Sequence, residues 1–121
     1  MNSKLIVGRI LMIIAALFLL DGCAYETPIQ RYSESKSKFN SPPVLMSNNI
    51  PQQDIYRVFE QGATGFVPIS ALREDLEDRA SKFCARQGKE MLVLGEQLSH
   101  PPYILGNFPR VEIVFAAVNK H

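Results

Sequence analysis

The stretch Ser70 to Gly88, SALREDLEDRASKFCARQG, decides the fold because it carries the strongest helical pattern in the chain. Its apolar residues fall on one face at spacings of three or four, and they are Leu72, Leu76, Ala80, Phe83 and Cys84. Acidic residues precede basic ones on the opposite face, an order that complements the helix dipole. The pattern predicts a helix over 71–87, with Ser70 as the N-cap and Gly88 as the residue that ends it.

Three segments around this helix have the composition of strands. They are Ile55 to Gln61, Met91 to Leu98 and Arg110 to Val118. In the last of these, alternation places Val111, Ile113, Phe115 and Ala117 on one face. We therefore expect an α+β fold over 54–121, a small β-α-β-β domain with one helix packed on a three-stranded antiparallel or mixed sheet.

About 66 residues bury only a small core, so the domain needs additional cover. One alternative is that the lead-in to the helix, Phe66 to Ile69, packs beneath it. The other is that a partner completes the sheet. The first strand has two mixed faces, so the sequence leaves its core face unassigned.

The first 22 residues have the pattern of an export signal. Lys4 and Arg9 precede an unbroken apolar run over 10–20, ILMIIAALFLL. At ~1.5 Å per residue this run spans about 16 Å, roughly half the hydrocarbon thickness of a bilayer. A signal peptide over 1–22 is therefore favoured over a permanent transmembrane helix.

The residues Leu20-Asp21-Gly22-Cys23 resemble the lipobox of bacterial lipoproteins. The resemblance implies that Leu20 and Gly22 are recognised by the signal peptidase and that Cys23 is lipidated with diacylglycerol and palmitate. Asp21 is an unusual residue at the tolerant position. Because Ala24 is not an inner-membrane retention residue, the resemblance points to the outer membrane, with the protein facing the periplasm. The alternative is an ordinary signal peptide with an incidental cysteine.

Residues 23–53 are predicted to form a lipidated cysteine followed by a flexible, disordered linker. Four prolines and many polar residues leave no sustained apolar period in this segment. As a flexible coil it would span roughly 30 Å. The alternative is a loosely packed arm, and Val44-Leu45-Met46 is the one apolar patch that could dock on the domain.

Composition excludes several classes of function. The 121 residues carry 13 Lys and Arg against 12 Asp and Glu, a balance that argues against nucleic-acid binding. We find no catalytic constellation, no metal-ligand set, no cofactor motif and no small-molecule site, so the chain is not expected to be an enzyme. Cys84 is interpreted as a buried core residue, with redox sensing as the alternative.

The loop over 99–109, SHPPYILGNFP, is the best candidate for a partner-binding surface. Its candidate contact residues are His100, Tyr103, Ile104, Leu105 and Phe108. The alternative is that these side chains fold back to cover a thin core, and both could hold for different residues.

The domain is similar to a group of small proteobacterial lipoproteins, through FCARQGK at 83–89, Pro101-Pro102 and FPRVEIVF at 108–115. In that group a cysteine often stands where this chain has Ala117, which implies a helix-to-strand disulfide that this chain lacks. The resemblance brings no established activity. We expect a non-enzymatic outer-membrane lipoprotein that binds another envelope component through the 99–109 loop or a sheet edge. The alternatives are an envelope-stress sensor that signals through a protein partner, or a small periplasmic inhibitor.

Overall fold

The computed structural model describes residues 23–46 and 49–120. The predicted signal peptide, with Leu20 and Gly22, lies outside the described residues. Helix α1 spans Ile69–Ala85 and buries Leu72, Leu76, Ala80 and Cys84. Its N-cap is Pro68, so the predicted N-cap at Ser70 is wrong. The Pro68 carbonyl accepts the first helical bonds, from the amides of Ala71 and Leu72.

The helix ends at Ala85, two residues before the predicted end at Gln87, and the chain turns at Gly88 as predicted. The Gly88 amide donates to the Ala85 carbonyl at 2.9 Å. Gly88 has a φ of +69°, a left-handed conformation that glycine adopts without steric penalty. This turn reverses the chain into the strand that follows.

In the described part of the chain, five strands form one antiparallel sheet, which confirms the α+β class with one helix packed on an antiparallel sheet. The strands are β1 Cys23–Glu26, β2 Gln30–Arg31, β3 Ile55–Gly62, β4 Lys89–Leu98 and β5 Arg110–Asn119. Their order is β1-β3-β5-β4, and β2 pairs with β3 as well. The sheet has two more strands than predicted, and both come from the segment before Asp54.

One face of the sheet packs against α1 in an apolar core. We call this side of the sheet the helix face. On β5, its side chains are the alternating set predicted from the sequence, Val111, Ile113, Phe115 and Ala117. An aromatic cluster adds to the core, because the Phe83 ring contacts Tyr56 with centroids 4.7 Å apart. Val67 and Ile69 also pack here, so part of the lead-in covers the core as one alternative expected.

The opposite face of the sheet is covered by the N-terminal arm, the name used below for residues 23–53. Its smaller core buries Ile55, Leu94, Val114 and Ala116 against side chains that include Tyr32 and Leu45 of the arm. The Met46 amide donates to the Leu94 carbonyl at 3.0 Å. Gly95 permits this contact, because a Cβ there would lie 2.9 Å from Leu45 Cδ2.

A buried polar group also holds the arm. Glu112 lies on this face of the sheet with its side chain fully buried, and Arg57 Nη1 donates to its Oε2 at 3.1 Å. From the arm, the Ser37 hydroxyl donates to Oε2 at 2.7 Å and the Lys38 amide donates to Oε1 at 2.9 Å. The Arg57 guanidinium stacks on the Tyr32 ring, 4.8 Å from its centroid.

The structure thus differs from the prediction of a free linker over 23–53. Within 23–46, Cys23–Glu26 and Gln30–Arg31 form strands and later residues pack on the domain, which is the alternative of a docked arm. Leu45 of the apolar patch docks, whereas Val44 stays exposed. The sequence did not predict this docking because the arm is held mainly by one buried carboxylate and several backbone hydrogen bonds. Such contacts do not require a periodic pattern of apolar residues in the arm.

Candidate functional surface at the loop end of the sheet

One end of the sheet brings together the start of β1, the end of β3 and the loop before β5. Cys23, the first residue of β1, pairs with Gly62, the last residue of β3. The Gly62 amide donates to the Pro109 carbonyl at 2.8 Å. The 62–68 loop and the 99–109 loop therefore leave the sheet beside the residue predicted to carry lipid. We call this the loop end.

The 99–109 loop is braced by its own hydrogen bonds. Asn107 Nδ2 donates to the carbonyls of His100 at 2.9 Å and Pro102 at 2.8 Å. At the base of the loop, the Ser99 hydroxyl accepts from the Arg110 amide at 2.7 Å and donates to the Phe108 carbonyl at 3.1 Å. These bonds give the loop a defined shape without regular secondary structure.

The five predicted contact residues divide into two groups. Tyr103 and Phe108 are half-buried, and the Tyr103 hydroxyl donates to the Ser99 carbonyl at 2.9 Å. His100 is exposed, as are Ile104 at 61% and Leu105 at 100%. Both alternatives for this loop therefore hold, since its aromatic residues fold back while its aliphatic residues face outward.

Leu105 is held in an unusual conformation. Its φ is +53°, in the left-handed region that costs a residue with a Cβ about 1–2 kcal/mol. Gly106 follows at φ +85°, and the Asn107 amide closes the turn by donating to the Ile104 carbonyl at 3.0 Å. The turn directs a large apolar side chain fully into solvent.

A third exposed apolar residue lies on the neighbouring loop. Phe66 is 95% exposed, so it does not share the packing beneath the helix that one alternative gave to the whole lead-in. The two loops touch at Gly65, where any side chain would collide with the Tyr103 carbonyl. We call Phe66, Ile104 and Leu105 the apolar tip. The sequence does carry a signal for the exposure of Phe66. In Phe66-Val67-Pro68-Ile69 alternate residues point the same way, and only Val67 and Ile69 pack against the core.

A second site, which the sequence analysis missed, joins β1, β3 and α1 through charged groups. Glu60 is buried on the helix face, and its Oε1 accepts from Arg79 Nη1 at 3.1 Å. Arg79 Nη2 also donates to the Thr27 carbonyl of the arm at 2.6 Å. Carboxylate oxygens of Glu26, Glu60 and Asp75 lie within 4.8 Å of one another.

Burial, together with the neighbouring Asp75 carboxylate, raises the pKa of Glu60 from 4.5 to about 8. Oε2 of Glu60 is buried and has no other hydrogen bond. When Glu60 is protonated, this oxygen can donate a hydrogen bond to the Asp75 carboxylate. The Arg79 guanidinium already supplies a positive charge beside these carboxylates, so a metal ion bound here would be repelled by it. The arrangement favours a shared proton that ties the helix to the sheet.

The Cys84 thiol is free and buried in the helix-face core. Burial raises its pKa and keeps it in the unreactive thiol form. Ala117 belongs to the same core cluster, so the two positions linked in the resemblance do share one side of the sheet.

No protein-family model matches the chain, and neither a curated protein nor a solved structure matches it. Within residues 23–46 and 49–120, no helix is long and apolar enough to cross a bilayer.

Proposed function

We propose that the protein is a lipid-anchored, non-enzymatic accessory protein of the bacterial outer membrane that faces the periplasm and binds another envelope protein. The observation that carries this proposal is the lipobox-like sequence ending at Cys23, followed at once by strand β1. Lipid at Cys23 supplies stable attachment, because acyl chains contribute ~0.8 kcal/mol per buried CH₂.

The start of β1 at Cys23 changes the expected geometry of this attachment. A flexible linker of 30 residues would let the domain move roughly 30 Å from the membrane. With Cys23 paired to Gly62, the acyl chains join the folded domain without a spacer. The domain therefore works next to the membrane surface.

The outer edge of β4 supports the protein-binding part of the proposal. β4 has ten residues and pairs with β5 on one side. No strand in the described part of the chain pairs with its other side, although the arm reaches β4 at Leu94, whose carbonyl accepts from the Met46 amide. The part of β4 before Leu94 can accept a further strand through backbone hydrogen bonds. Leu92, 40% exposed, adds an apolar contact. Redox signalling through Cys84 is disfavoured by the burial of its thiol.

Lipid attachment is tested by replacing Cys23 with Ser and following incorporation of radiolabelled palmitate in cells. We expect the wild-type chain to carry label in the outer-membrane fraction and the variant to lose both the label and that location. Cys84→Ser is the matched control and should behave as wild type. Unchanged labelling of the Cys23→Ser variant would contradict the proposal.

The β4 edge is tested by placing a photo-crosslinking residue at Leu92 and, as a control, at Ser81 on the exposed side of α1. A discrete adduct with one envelope protein is expected in intact cells from position 92 alone. Equal adducts from both positions, or none from either, would remove the edge from consideration.

A further inference from the structure

We infer that the apolar tip, Phe66, Ile104 and Leu105, inserts into the surface of the bilayer that holds the protein. The inference rests on the proposed lipid anchor at Cys23 and names the bilayer as a second binding partner. The 99–109 loop, predicted as a protein-binding surface, is thereby assigned to lipid.

Exposure of the tip is the first observation. Scattered exposed apolar residues are normal on soluble proteins, so one alone would carry no argument. Here three large apolar side chains, at least 61% exposed, stand on two loops that contact each other at Gly65 and Tyr103. The loop holds Leu105 at this position in spite of its left-handed backbone.

Position relative to the anchor is the second observation. Cys23 pairs with Gly62, and Phe66 lies four positions after Gly62, a span of at most about 14 Å. Acyl chains on Cys23 would bring the loop end, and no other end of the sheet, to the membrane. The tip therefore meets the bilayer as a consequence of the anchor.

Polarity of the two loops is the third observation. Neither 62–70 nor 98–109 contains Lys, Arg, Asp or Glu. Carbonyls of the longer loop are paired internally, those of His100 and Pro102 with Asn107 Nδ2 and that of Ile104 with the Asn107 amide. Entry into a less polar medium would leave these three carbonyls satisfied, which lowers the cost of inserting the loop.

The absence of charge on both loops also defines the type of contact. Insertion is driven by apolar burial and is expected to persist in high salt, unlike the binding of basic segments to anionic lipid. Three side chains give only weak affinity on their own. A covalent anchor makes the contact intramolecular, so even weak insertion fixes the orientation of the domain.

The chain has no tryptophan, so a single one introduced at the tip reports its surroundings. Leu105→Trp and, as a second tip variant, Ile104→Trp are compared with Leu92→Trp on β4. Each full-length protein is purified with its lipid and placed in vesicles of phosphatidylethanolamine and phosphatidylglycerol. A blue-shifted emission that is quenched by brominated lipids, at low and high salt, is expected for both tip variants and not for Leu92→Trp.

A separate arm of the experiment does not depend on natural lipidation. In the Cys84→Ala background, the chain 23–121, which includes all described residues, is coupled through Cys23 to a maleimide lipid in the same vesicles. Emission at 104 and 105 that stays unshifted in this tethered protein overturns the inference, whereas absence of palmitate on the natural protein overturns only the proposed function. A shift produced by an envelope protein fraction, and not by lipid, would also overturn it and assign the tip to a protein.

Discussion

The two faces of the sheet are covered in different ways. α1 covers one face with a continuous apolar core that includes Leu76. The arm covers the other with fewer apolar contacts and a buried ion pair, Arg57 with Glu112, that also binds the arm backbone. Apolar packing holds α1 on the first face. Buried polar groups, which must all be paired, hold the arm on the second face. The cover over the second face therefore depends on polar pairing more than the α1 cover does.

The largest effect is expected from Leu76→Ala on the helix face. Leu76 is fully buried, so the substitution leaves a cavity and should lower the free energy of unfolding by about 2–5 kcal/mol. Chemical denaturation measures this loss. The control Leu92→Ala, at a partly exposed position on β4, should cost much less, and equal losses would contradict the assignment of the core.

A smaller and more local effect is expected from Glu112→Ala on the arm face. The change removes the acceptor for Ser37 and Lys38, so residues 35–46 of the arm should loosen and let water reach Arg57. We expect a loss of about 1–3 kcal/mol. Hydrogen exchange over 35–46 should rise far more than exchange in α1.

Glu96→Ala is the matched control for Glu112→Ala, because Glu96 forms a partly exposed ion pair with Arg73. Exposed pairs contribute little, so its loss should be below about 1 kcal/mol, with unchanged exchange in the arm. Exchange that rises equally throughout the domain of the Glu112→Ala variant would show that the two covers unfold together.

Adjacent residues of the arm provide a finer comparison. Leu45 is half-buried against the sheet, whereas Val44 is 91% exposed. Leu45→Ala should lower stability by about 1 kcal/mol, and Val44→Ala should change it by no more than a few tenths. Thermal unfolding of both variants measures the difference. Equal effects would mean that residues 44–46 do not dock as described.

Glu60→Gln is expected to change the free energy of unfolding least at pH 5. Its main effect is expected on how that free energy varies with pH. The folded protein binds the Glu60 proton more tightly than the unfolded chain, since the pKa is raised from 4.5 to about 8. The contribution of Glu60 to stability is therefore full at low pH and is lost as pH rises between about 4.5 and 8. Glutamine cannot ionise, so the variant should lose this decline.

Denaturation midpoints from pH 5 to pH 9 test the prediction for Glu60. Glu74→Gln, at an exposed position of α1, is the control and should keep the wild-type profile. A decline in the Glu60→Gln variant as steep as in the wild type would assign the titration to another group.

Sequence periodicity predicted the helix face and little of the arm face. The spacing of Leu72, Leu76 and Ala80 and the alternation from Val111 to Ala117 are direct consequences of packing on a core. Ser70 has a favoured N-cap side chain, yet the N-cap is Pro68, two residues earlier, and the helix begins at Ile69. Extended geometry at Pro68 already supplies the carbonyl that the first helical amides need.

Pairing between distant residues accounts for what the sequence could not predict. Glu60 and Glu112 sit in β3 and β5 as charged residues within apolar runs, and their partners come from α1 and the arm. No local pattern connects positions 75 residues apart, as for Ser37 and Glu112. Of the residues that form the apolar tip, the sequence singled out Ile104 and Leu105 as candidate contact residues, while Phe66 was named only as part of a lead-in that could pack beneath the helix.

The two longest strands set the length of the sheet from the loop end to its opposite end. β4 and β5 each have ten residues, about 33 Å at ~3.3 Å per residue. Because β4 ends at the loop end, its first residue, Lys89, lies at the far end of the sheet. If the domain stands on its apolar tip as proposed, its sheet reaches only about 30 Å from the membrane surface, and the proposed partner at the β4 edge would have to come equally close.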